Sequence, residues 1–153
     1  MKIRIGLGSC GIAAGGRKVR EALLKCFEEK GLNIEITSTG CIGVCFYEPL
    51  VDVIDDNGDV YTYVNVTPEK AQEIVEQHIV NGVPVEKYIA STSQKPFRQL
   101  EKQVRVVLGN CGVINPEKIE DYLENDGYKA LEKCLKEMTP EEVIEEIKIS
   151  GLR

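Results

Sequence analysis

A strand, a glycine-rich turn and an amphipathic helix follow one another in residues 2–31, and little else can be built around that start except a layer of sheet and helices. Lys2 to Leu7 alternates polar and apolar residues, as a half-buried strand does. Gly8 to Gly16 is rich in glycine and alanine and reads as a loop opening a helix. Arg17 to Lys30 puts Val19, Leu23, Leu24 and Phe27 on one face, and Gly31 is the stop. A second alternating strand is expected over Asn33 to Thr37, a third over Leu50 to Ile54 and a fourth over Val60 to Val66, with the hairpin signal DDNGD between the last two. Thr67 then caps a helix whose first turn holds Pro68 and Glu69. Ala71, Ile74, Val75 and Ile79 form its buried stripe, and Asn81-Gly82 ends it.

The order strand, helix, three strands, helix is that of a thioredoxin-like layer, complete within residues 1–90. STSQKP at 91–96 opens a linker that runs to residue 103. After it come a short strand at Val104 to Leu108 and three helices, Pro116 to Glu124, Tyr128 to Glu137 and Pro140 to Ile149. Thr139-Pro140-Glu141 repeats the capping logic of Thr67-Pro68-Glu69. So few elements bury little surface, so this half is expected to need a neighbour to fold against, and its ending at SGLR reads as a beginning rather than a whole.

Composition removes several function classes. The net charge of −6, with basic residues scattered among acidic ones, argues against a nucleic-acid partner. The apolar runs are too short for a membrane span, and Met1 leads straight into strand without signal-peptide features, so the cytoplasm is the expected address. A single histidine, His78, leaves a serine hydrolase or a histidine-rich zinc enzyme little to work with, and its place near a helix C-terminus reads as surface. Gly6, Gly8 and Gly11 satisfy a dinucleotide-type glycine spacing. The acid that should close the second strand is absent, and Thr37, Ser38 and Thr39 stand there instead.

The six cysteines carry the chemistry. In a cytosolic chain they are ligands or buried hydrophobes rather than disulfides. Cys10 follows the first strand, while Cys41 and Cys45 follow the second, and in an α/β layer those two loops share one edge of the sheet. Three thiols can therefore meet there. Two readings stand, ligands of one metal centre or ordinary buried cysteines. Cys26, core or half-buried, and Cys134, a core residue, lie on helices, and Cys111, in GNCG, sits on a turn, either packed or facing a partner.

GSCGIAAGG, TGCIGVCFYEP and YTYVNVTPEKAQEIVEQHIVNG resemble the thioredoxin-like [2Fe–2S] ferredoxin domain of NAD(P)-linked hydrogenase complexes, over residues 1–90. From Val104 the text RVVLGNCGVINPEKIEDYLENDGYKALEKCLKEMTPEEVIEEIKISGLR resembles the start of the flavin- and NADH-binding subunit of complex I and of electron-bifurcating hydrogenases. Together they look like the N-terminal portion of a hydrogenase β-subunit. The resemblance implies an α/β fold, a thioredoxin-like ferredoxin domain followed by a small, mostly helical segment at 104–153. It implies an electron-transfer or assembly module whose partners are other subunits of the complex. FMN, NAD and a [4Fe–4S] cluster would belong to a downstream region or to those subunits.

It further implies a [2Fe–2S] cluster held by Cys10, Cys41 and Cys45, with one ligand short. The family pattern has C-x4-C after the first strand and C-x3-C after the second. Cys10 takes the second place of the first pair, and the first place falls on Ile5, which has no lone pair to offer iron. The alternative is a cluster-free docking module of the same complex.

Overall fold

A computed structural model describes residues 1–97, 100 and 102–152. They form two compact units, 1–117 and 118–153. The first holds a five-stranded sheet of β1 (Lys2–Gly6), β2 (Glu35–Thr39), β3 (Val51–Ile54), β4 (Val60–Tyr63) and β5 (Ile89–Thr92) in the order β2-β1-β3-β4-β5. Only β1 and β2 run parallel; the other neighbours are antiparallel. The helix between β1 and β2 dictates this, because a parallel return needs a crossover connection.

Alternation along β1, β3 and β4 sends Ile3, Ile5, Val51, Val53 and Tyr63 to one face. There they meet Val19, Leu23 and Phe27 of α2 (Gly16–Lys30) and Ala71 and Ile74 of α3 (Pro68–Ile74). The opposite face carries a polar row in register, Arg4, Asp52, Thr62 and Ser91. Arg4 and Asp52 close it with a 2.8 Å ion pair, an opposite-charge cross-strand pair. Pro96, Phe97, Leu100, Arg105 and Cys111 come over this face and enclose a cleft of about 280 Å³ with the row.

The expected elements are found with shifted ends. The turn Gly8–Gly16 is not all loop: it contains the short helix α1 (Ser9–Ala13). Gly31, at φ 64°, closes α2 in the left-handed region that glycine adopts without strain. The Thr67 side chain accepts a hydrogen bond from the Lys70 amide and so caps α3. The sequence reading lacked a fifth strand, and β5 runs through residues assigned to the domain end and linker. Residues 98, 99 and 101 of that linker lie outside the described residues. Val104 to Leu108 is no strand but irregular chain and turn, with Val104, Val106 and Val107 almost wholly exposed.

Residues 118–152 hold α4 (Ile119–Glu124), α5 (Lys129–Glu137) and α6 (Pro140–Ser150). Thr139 and Glu142 form a reciprocal capping box, with Pro140 in the first turn. No large apolar side chain described in this unit is buried, and Leu131, Leu135, Ile147 and Ile149 are exposed. Cys134, expected in a core, is half-buried on α5. No described helix is long and apolar enough to cross a membrane.

Candidate metal centre

Because β1 and β2 are parallel neighbours, the chain leaves both at the same edge of the sheet. Cys10 enters on α1 directly after β1; Cys41 and Cys45 occupy the loop after β2, Cys45 opening a 3₁₀ turn that runs to Tyr47. The Sγ atoms of Cys10, Cys41 and Cys45 all lie within 4.8 Å of one another, and Cys41 and Cys45 are 3.3 Å apart. None of the three is in a disulfide. Cys10 and Cys41 are half-buried and Cys45 is exposed, so the group sits at the surface rather than in the core.

Glycines permit this approach. A Cβ on Gly8 would stand 3.1 Å from the Cys41 amide nitrogen, and one on Gly11 only 2.1 Å from the Gly6 carbonyl oxygen. A side chain on Gly8 would push the Cys41 loop away, and one on Gly11 would push α1 off the end of β1. Gly43, at φ 94°, turns its N–H onto the Cys41 sulfur at 3.3 Å. Burial pushes the Cys41 thiol up, the Gly43 amide works in the other direction, and neighbouring Cys45 adds to the rise. Two sulfurs this close resist ionising together unless a cation lies between them, and metal binding deprotonates such thiols outright. Three converging sulfurs with an amide donor are therefore a donor set suited to iron.

Two residues belong to this edge that the sequence reading did not single out. Glu48 is buried, and its carboxylate accepts from the Leu50 amide at 2.8 Å. Burial raises its pKa above the ordinary carboxylate value. The carboxylate lies against Gly6 and Gly11: a Cβ on Gly6 would stand 2.8 Å from it and one on Gly11 3.1 Å. The glycines of that run serve close packing, not phosphate. An acid directly before proline inside an otherwise apolar stretch was the available signal.

The other is Asn115. Ser38 donates to its side-chain oxygen at 3.0 Å, while Thr39 accepts from the Gly112 amide at 3.0 Å and donates to the Ile114 carbonyl. These bonds lay residues 112–115 along the end of β2 and bring the Cys111 sulfur against Gly40, the residue before Cys41.

The remaining candidates lie elsewhere. Ile5 is wholly buried in β1, paired with Ser38 and Val51, and is a core residue. Cys26 is buried on α2. His78 is not on the surface as expected: it is 4% exposed, on the π-helical turn Val75–Val80 that continues α3. Its Nδ1 shares a 2.8 Å hydrogen bond with the Tyr63 hydroxyl, and that hydroxyl accepts from the Val85 amide. Desolvation lowers its pKa, so it is a neutral packing residue.

A thioredoxin-like sheet with three thiols gathered at the β1/β2 edge is the arrangement of a small iron–sulfur protein. The chain belongs to the thioredoxin-like [2Fe–2S] ferredoxin family. It is 35% identical over 92 residues to a 2Fe–2S ferredoxin of Aquifex aeolicus, covering 58% of this chain and 79% of that one. It is 32% identical over 85 residues to the NADP-reducing hydrogenase subunit HndB of Solidesulfovibrio fructosivorans, covering 55% of this chain and 68% of HndB. Similarity to subunit HndC of the same organism is higher, 47% over 64 residues, but spans only 12% of that much longer protein. A solved structure of a thioredoxin-like [2Fe–2S] ferredoxin from Aquifex aeolicus superposes with a TM-score of 0.54 at 27% identity, over 62% of this chain and 94% of that one. No protein-family model matches the chain.

Proposed function

We propose that the chain is an electron-transfer module of a flavin- and iron–sulfur-dependent NAD(P)H oxidoreductase complex of the bifurcating-hydrogenase kind, with Cys10, Cys41 and Cys45 as ligands of a [2Fe–2S] cluster. The observation that carries this is the convergence of the three sulfurs within 4.8 Å, on the fold of a ferredoxin family. A cluster held there would supply one-electron redox chemistry. The protein's own part is to hold the sulfurs, to direct the Gly43 amide at Cys41, and to keep Cys45 near the surface where a donor or acceptor can approach.

Flavin and nicotinamide chemistry would lie with other parts of the complex. Residues 104–153 would form the beginning of a region related to complex I flavin subunits. The hydrogenase subunits among the relatives support a multi-subunit setting, and the cytoplasm is the compartment that suits free thiols. Cys41→Ser or Cys45→Ser is expected to bleach the visible absorbance of the anaerobically isolated protein, and unchanged absorbance in both would refute the ligand assignment.

A further inference from the structure

We propose that Cys111 supplies the fourth thiolate of this site, standing in for the ligand that Ile5 cannot provide. The inference rests on the reading of the site as a [2Fe–2S] centre. Such a cluster takes four protein ligands, and the β1/β2 edge gathers three. Of the remaining cysteines, Cys26 is committed to the core and Cys134 belongs to the unit 118–153. Cys111 is the other thiol of residues 1–117, and its sulfur lies where a Cβ on Gly40 would meet it at 3.9 Å, beside the backbone of the ligand loop.

That position is built. Thr39 and Ser38, the last residues of β2, use their hydroxyls to hold Gly112, Ile114 and Asn115. Gly112, at φ 86°, sits so close on Ile42 that a Cβ there would come within 2.5 Å of the Ile42 side chain. Ile42 is the residue between Cys41 and Gly43, so the turn bearing Cys111 rests on the same loop that bears two of the ligands. Arg105 donates to the Cys111 carbonyl at 3.1 Å and brings a positive charge to a site that would otherwise gather only negative sulfurs.

Cys111 is not one of the three sulfurs lying within 4.8 Å of one another. A two-iron cluster does not ask for that. With two thiolates to each iron, the fourth sulfur would pair with one of the three and stand apart from the other two, so Cys111 would have to close onto one member of the group when a cluster binds. On binding, the Cys111 S–H bond breaks, its proton goes to solvent, and an iron–sulfur bond takes its place with no change of oxidation state.

The test uses the full chain, reconstituted anaerobically with ferrous iron and sulfide, as wild type, Cys111→Ala, Cys111→Ser and Cys134→Ser. Iron, acid-labile sulfide, visible absorption and the EPR spectrum after reduction are read for each. Expected are about two irons in the wild type and a loss of about tenfold or more in iron retained against a chelator for Cys111→Ala. Cys111→Ser should shift the absorption and EPR signals, because oxygen replaces one sulfur, and Cys134→Ser should match the wild type. Wild-type iron whose amount and spectra survive both Cys111 variants would overturn this inference and leave the ferredoxin reading intact. A wild type that takes up no iron would overturn both.

Discussion

The two units of the molecule use the same local signals and end differently. Thr67-Pro68-Glu69 and Thr139-Pro140-Glu141 each start a helix, and in both the threonine side chain accepts from a backbone amide of the first turn. In residues 1–117 that helix lays Ala71 and Ile74 on the sheet, where both are fully buried. In residues 118–152, Ile144 and Ile147 of the second helix remain about half exposed. Caps and periodicity decide that a helix forms, and tertiary packing supplies most of what makes it stable. The first unit carries its own core, while the second presents amphipathic helices of the kind a larger assembly covers.

The largest expected effect breaks this contrast at matched chemistry. Leu23→Ala removes a wholly buried side chain from the core and should cost about 2–5 kcal/mol in urea unfolding. Leu135→Ala, on an exposed face of α5, should stay within about 0.5 kcal/mol. Similar losses from the two would show a hidden core in the second unit. A smaller effect should separate the caps. Thr67→Ala should lower the stability of the first unit by about 1 kcal/mol. Thr139→Ala should instead reduce helix content by circular dichroism with no shift of the main unfolding transition. A shift of the main transition by Thr139→Ala would show that the two units unfold together.

The smallest effect depends on pH and belongs to the first unit alone, since His78 is the only histidine. Burial lowers its folded-state pKa, with Asp55 opposing in part. The unfolded chain therefore binds more protons just below its ordinary value of 6.5. Stability should be fully present above that value and decline as pH falls through the window beneath it. His78→Gln should flatten this decline in thermal melts between pH 7 and pH 5, both about the range in which histidine titrates. An unchanged slope in the variant would place the titrating group elsewhere.

Much of this architecture was legible because period and punctuation agreed. The alternation of Lys2 to Leu7, the stripe of Val19, Leu23 and Phe27, and the stop at Gly31 all pointed to one βα unit. The meeting of Cys10, Cys41 and Cys45 follows from that unit, because a parallel β1/β2 pair must bring both loops to one edge. His78 was misplaced although it lies four residues after Ile74, on the buried stripe. Its polarity outweighed its position, and the partner that satisfies it, Tyr63, is remote in sequence. Val104 to Leu108 looked like strand because it is apolar and β-branched, yet apolar character without a pairing edge makes no strand. The seating of residues 112–115 on β2 rests on side-chain bonds spanning more than seventy residues, such as Thr39 with Gly112 and Ser38 with Asn115, which no local pattern announces.

The proposed electron-transfer role depends on a [2Fe–2S] cluster at the β1/β2 edge. Its most direct test is iron and acid-labile sulfide per chain after anaerobic purification, with EPR of the dithionite-reduced sample. About two irons, matching sulfide and the signal of a reduced [2Fe–2S] centre are expected. Folded protein, made together with its partners and containing neither iron nor sulfide, would contradict it and make this unit a docking module.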